Sequence, residues 1–122
     1  MYSISVDKTN ELIEARLSGI MSVAEVGEYI AELKRAIVIN QLHTYAMITD
    51  LIDCPIQPQD TILAMGEHMA TMPKARSLAV ATGSSLAKMQ VRRLFTQPYA
   101  RIVATVEDGR AWVLHGTEPP SA

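Results

Sequence analysis

Apolar and polar residues alternate twice near the start of the chain. Tyr2, Ile4 and Val6 interleave with Ser3 and Ser5, and Ile13, Ala15 and Leu17 interleave with Glu14, Arg16 and Ser18. A period of two gives a strand one apolar face. The polar run Asp7-Lys8-Thr9-Asn10 between the two segments supplies turn chemistry, so the chain opens on a predicted β-hairpin. The period then changes. Val23, Val26, Ile30, Leu33 and Ile37 fall on one helical stripe, with Glu25, Glu28, Glu32 and Arg35 off it. Ser22 and Glu25 stand three apart at its start, the spacing of a capping box. Asn40 and Gln41 end the pattern.

Tyr45-Ala46-Met47-Ile48-Thr49 reads as a mostly buried strand, followed by a loop through Asp50, Asp53, Cys54 and the prolines Pro55 and Pro58. Pro58 suits the first position of a second helix, carrying Ile62, Met65, Met69 and Met72 on one stripe and stopping at Pro73. Ser77-Leu78-Ala79-Val80-Ala81-Thr82 is continuously small and apolar, as strands covered on both faces are. Gly83-Ser84-Ser85 predicts the cap of a third helix over Leu86–Thr96, which Pro98 follows. A fifth strand is predicted over Arg101–Thr105 and a short last helix over Val106–Leu114. The order is β-β-α-β-α-β-α-β-α. Strands alternating with helices imply right-handed crossovers, hence an α/β fold with an open, mostly parallel five-stranded sheet and an N-terminal hairpin, its faces covered by helices. Five strands are too few for an eight-stranded (β/α) barrel. One domain over 1–115 and a flexible tail over 116–122 account for the whole length.

Three stretches carry a resemblance to a known group. They are Leu17-Ser18-Gly19 at the end of the hairpin, the Tyr45–Asp50 strand running into an acidic loop, and the terminal Arg101–Leu114 segment, where a strand enters a short helix holding Ala111-Trp112-Val113. With the element order, these resemble the STAS-like domains, relatives of the anti-sigma-factor antagonists, and in particular a small stand-alone bacterial branch similar to both STAS and CRAL-TRIO lipid-transfer domains. The resemblance implies a non-enzymatic module that binds a protein partner or a small ligand. In the antagonist relatives a Ser or Thr after the third strand is phosphorylated to switch partner binding. Here the matching stretch, Asp50 to Gln57, holds no Ser or Thr, and the nearest hydroxyl, Thr61, falls inside the predicted helix.

Composition narrows the classes further. Of 122 residues 48% are hydrophobic and 20% charged, with a net charge of −2, which excludes global disorder and argues against general nucleic-acid binding. No stretch approaches the length needed to span a bilayer and no signal peptide is visible, so a cytoplasmic location is expected. The single Cys cannot form an internal disulfide. Charge is uneven: residues 1–61 carry four Lys/Arg and nine Asp/Glu, residues 62–122 seven and four. Six basic residues and no acidic one lie between Lys74 and Arg101.

Several residues become candidates on these grounds. Gly83, Ser84 and Ser85 at a helix N-terminus, with Lys88 and Arg92 one turn apart, could receive an anion or a lipid headgroup. The same residues also read as an ordinary cap and a solvated face. Met65, Met69 and Met72, with Met89 on the next helix, suit an adaptable apolar surface or an irregular cavity, and equally an ordinary buried stripe. Leu86 and Met89 fall outside the apolar arc of Ala87, Val91, Leu94 and Phe95, which points to a second contact, either a ligand or a homodimer interface. Asp50, Asp53 and Cys54 follow the third strand, where loop hydrogen bonds are expected of the aspartates. Asp60 and His68 match no zinc spacing, so no metal is expected, and neither is a cofactor. No Ser–His or Cys–His pairing and no G-x-S-x-G elbow is visible. The expectation is a non-catalytic binding or regulatory module whose partner is a protein or a small amphipathic, lipid-like anionic ligand.

Overall fold

The computed structural model describes residues 1–120. Strands β1 (Tyr2–Asp7) and β2 (Leu12–Leu17) form the predicted antiparallel hairpin, Ile4 opposite Ala15. Strands β3 (Ala46–Asp50), β4 (Ser77–Ala81) and β5 (Ala100–Val103) then add in parallel, with Thr49 beside Ala15 and Val80, and Ile102 beyond. The sheet order is β1-β2-β3-β4-β5.

That sequential order decides the layers. Crossovers of one hand that always step in the same direction place their helices on the same face. Helices α1 (Val23–Ile39), α2 (Gln59–Met69) and α3 (Ser85–Leu94) accordingly share one face, over Ile13, Ala15, Leu17, Met47, Leu78 and Val80. Among the described residues the other face carries only α4 (Val106–His115), which packs Val113 against Ala46, Ile48, Ala79, Ala81 and Val103. Both faces of β3 and β4 are therefore covered, as their unbroken apolar runs predicted. The hairpin half of the second face is not. There Ser3, Ser5, Glu14 and Arg16 line a polar hollow, and Glu14 pairs with Arg110 of α4 at 2.7 Å.

Element ends follow local chemistry. Ser22 caps α1 by accepting the Glu25 N–H at 3.1 Å, but the Glu25 carboxylate turns to the Met1 amino group, so half of the predicted capping box forms. Helix α2 ends before Met72, the last residue of the predicted stripe. The Thr71 hydroxyl donates to the His68 carbonyl, competing for an acceptor of the last turn, and Pro73 disfavours helical dihedrals at Met72. Thr105 leaves the predicted fifth strand to cap α4, accepting the Asp108 N–H at 3.1 Å. Phe95 leaves helical dihedrals and packs its ring on the core, ending α3 before Thr96.

In the tail, Gly116 takes the left-handed conformation that ends α4, and Glu118 pairs with Arg101 at 2.8 Å. Ser121 and Ala122 lie outside the described residues.

Candidate functional site

The core between the sheet and its three helices is incompletely filled. Strand alternation points Met47 and Thr49 of β3 and Leu78 of β4 toward α1–α3, and above them lies a cavity of about 230 Å³. Tyr29 and Leu33 of α1 wall one side, and Met65 and Met69 of α2 face Val91 and Leu94 of α3 on the other. The gap has a local cause. Helix α2 buries only Thr61 and Ala64, and it touches α3 lightly, with Gly66 opposite Leu94. Its first turn is held by the Thr61 hydroxyl, which donates to the Met21 carbonyl at 2.7 Å. The Thr61 hydroxyl is thus buried and engaged.

At the end of the cavity beyond the strand C-termini, Gln57 ties three segments together. Its Oε1 accepts the Met21 N–H at 2.8 Å, and its Nε2 donates to the Gly19 carbonyl at 3.0 Å. Gln57 and Gln90 of α3 exchange backbone-to-side-chain bonds at 2.9 and 3.0 Å. Cys54 lies beside this junction and lines the cavity. Burial raises its thiol pKa, against a smaller opposing effect of the Gln57 amide, so it stays protonated and a poor nucleophile.

At the other end the Tyr45 hydroxyl donates to the Pro73 carbonyl, and Lys74 Nζ sits 5.5 Å from the centre of the Tyr99 ring. Burial, reinforced by the neighbouring Tyr99 phenol, pushes Tyr45 up to about 12. Burial raises Tyr29 further still, with Tyr45 adding to it. Both phenols are neutral at any physiological pH, and among the described residues Lys74, at the rim, is the only charged side chain lining the cavity.

Two wall atoms have unmet hydrogen-bonding capacity. Thr49 is 3% exposed and its hydroxyl has no partner, and Gln97 Oε1 is buried and equally unpartnered. An orphaned buried polar atom costs about 1–3 kcal/mol. A largely apolar chamber with such atoms in its wall is suited to a mostly apolar molecule bearing a hydrogen-bonding group.

The sequence-derived candidates divide in two. Met65, Met69, Met72 and Cys54 all line the cavity, and the methionines of α2 are half-buried rather than a fully buried stripe. Gly83, Ser84, Ser85, Lys88 and Arg92 stand apart from it. The Ser84 hydroxyl accepts the Ala87 N–H at 3.3 Å, the ordinary work of a cap. Leu86 and Met89 point outward. Asp50 accepts the Ile52 N–H at 3.1 Å, a local loop bond, whereas Asp53 pairs with Arg16 of β2.

The basic run is likewise not one patch. Arg76 donates to the carbonyls of Asn10 and Thr44, and Arg101 lies 4.1 Å from the Trp112 ring centre while paired with Glu118. Among the described residues no group of three His, Cys, Asp or Glu side chains is placed to hold a metal ion, and no helix is long and apolar enough to cross a membrane. Thr49, Gln57, Gln97, Tyr29, Tyr45 and Tyr99 were not predicted as site residues. Nothing in their neighbours' periodicity distinguishes them from ordinary strand, loop and core positions. No family model, no curated protein and no solved structure matches the chain.

Proposed function

We propose that this chain is a non-catalytic, STAS-like binding module whose ligand is a small, largely apolar molecule held between the sheet and helices α2 and α3. The observation that carries the reading is the orphaned Thr49 hydroxyl in the wall of a cavity of about 230 Å³. Interiors are normally close-packed, so both the void and the unsatisfied hydroxyl cost stability that a ligand would restore. An apolar cavity of about 150 Å³ accepts benzene. This one is half as large again, enough for a fused aromatic ring or a medium-length alkyl chain. The absence of a charged group in its depths, among the described residues, favours a neutral body, and Lys74 at the rim offers an anionic head its only cationic partner there. The mixed five-stranded sheet and the element order support the STAS-like assignment.

The test uses N-phenyl-1-naphthylamine, an apolar probe with one N–H that fluoresces when shielded from water. The expected result is saturable binding at one site per chain, with a severalfold slowing of Cys54 alkylation by a small maleimide. Met65→Trp, which puts a bulky ring into the chamber, should abolish both effects. Absence of saturable binding, or binding that survives Met65→Trp, overturns the reading.

A further inference from the structure

A second surface lies outside the cavity, at the end of the molecule where the strands finish. On α3, Leu86 and Met89 are 61% and 56% exposed, and in the loop after β3, Ile52 and Ile56 are each 45% exposed. The fold brings the two segments together. A Cβ on Gly83 would lie 3.9 Å from the Ile52 side chain, and the Gln57–Gln90 exchange joins the residue after Ile56 to the residue after Met89. Four large, exposed apolar side chains thus stand on two neighbouring segments. Isolated exposed apolar residues are ordinary, whereas a cluster from separate segments marks a contact surface.

The charges around it select the partner. Helical spacing places Arg92 and Arg93 on either side of Met89 on the exposed face of α3, with Lys88 at its margin. Among the described residues none of these three cations is paired with a carboxylate. A second copy meeting this face across a two-fold axis would oppose its own arginines. An apolar centre with a cationic border is instead the pattern of an element lying in the headgroup layer of an anionic bilayer.

We propose that Ile52, Ile56, Leu86 and Met89 form a docking surface for anionic lipid membranes, with Lys88, Arg92 and Arg93 contacting the headgroups. The apolar side chains enter the interface just below the headgroups, and α3 lies parallel to the surface. The surface is independent of what the cavity holds, since none of its four apolar residues lines the cavity. Docking would nevertheless set the Cys54 end of the chamber beside the lipid.

Co-flotation with vesicles at low salt tests this. The expected result is binding to vesicles of phosphatidylcholine with one-third phosphatidylglycerol, and little binding to phosphatidylcholine alone. Neutralising Lys88, Arg92 and Arg93 together to Gln should weaken binding roughly a hundredfold, at about 1 kcal/mol per cation. Leu86→Ser with Met89→Ser should weaken it at least tenfold, and neither variant should alter the circular dichroism spectrum, because all five side chains are outside the core. Met89→Trp should show a blue-shifted emission on the anionic vesicles only. No binding to anionic vesicles, or binding indifferent to both sets of substitutions, overturns the proposal. So does a dimer in sedimentation that Leu86→Ser with Met89→Ser dissociates, which would make this face a self-interface.

Discussion

The two faces of the sheet are packed on different principles. Under α4 small residues stand at the closest approach, Ala79 on the sheet and Gly109 on the helix, with Ala46 and Ala81 nearby and Ile48, Val103 and Val113 around them. A Cβ on Gly109 would sit 3.3 Å from the Ala79 Cβ and 3.6 Å from Ile48 Cγ2, so the helix backbone comes down directly onto the strands. Under α1–α3 the contact is richer in long side chains, among them Met21, Tyr29, Leu33, Tyr45 and Met47, and beside the light contact of α2 with α3 these line a chamber. Small residues close an interface by bringing backbones together, while large flexible ones can fill a gap incompletely and still define its wall. The looser face is the one suited to bind.

The largest expected effect contrasts the two faces directly. Ile48→Ala, at a fully buried position under α4, should cost about 3–4 kcal/mol, because the closely apposed backbones cannot collapse into the space. Met65→Ala, half-buried beside the existing chamber, should cost about 1 kcal/mol, since fewer contacts are lost. Urea midpoints with unchanged slopes measure both, and equal costs would erase the distinction. Next comes overpacking. Gly109→Val should destabilise by about 2 kcal/mol by forcing α4 off the sheet, and a neutral result would show that the close approach is not needed.

The smallest effect is the most informative about function. Thr49→Val should stabilise the ligand-free protein by about 1 kcal/mol by removing an unsatisfied hydroxyl. It should also weaken N-phenyl-1-naphthylamine binding by about fivefold, the equivalent of 1 kcal/mol. A loss of stability on Thr49→Val would mean that the hydroxyl is already satisfied and that the chamber has no polar demand to meet.

Much of the architecture was written in local pattern. Of the predicted stripe Val23, Val26, Ile30, Leu33 and Ile37 in α1, the last four are buried as their spacing predicted, because a helix of 17 residues repeats its period often enough to be unambiguous. Val23, at the first helical position, is exposed, ahead of the turns that pack on the sheet. Strand β4 read as doubly covered because none of its interior residues is polar, and it is. The candidate site was legible through Met65, Met69 and Met72, whose residue type carries the signal without a position in space, and through Cys54 in the loop after β3. The anion reading of Gly83–Ser85 had no such support, since a capping Ser looks the same whether or not a ligand lies beyond it.

By itself the sequence determined the elements, their order and which face of each turns inward, since periodicity and capping act over a few residues. That order also determined the one-sided stacking of α1, α2 and α3, through the shared hand of the crossovers. Only the tertiary structure decided where the layers fail to meet. The chamber depends on the separation of α2 from α3, and the orphaned state of Thr49 depends on which side chains stop short of it. The nearness of the segment holding Ile52 and Ile56 to the one holding Leu86 and Met89 rests on bonds between Gln57 and Gln90, 33 residues apart in the chain. Such distances are set by the packing of whole elements, and no local pattern encodes them.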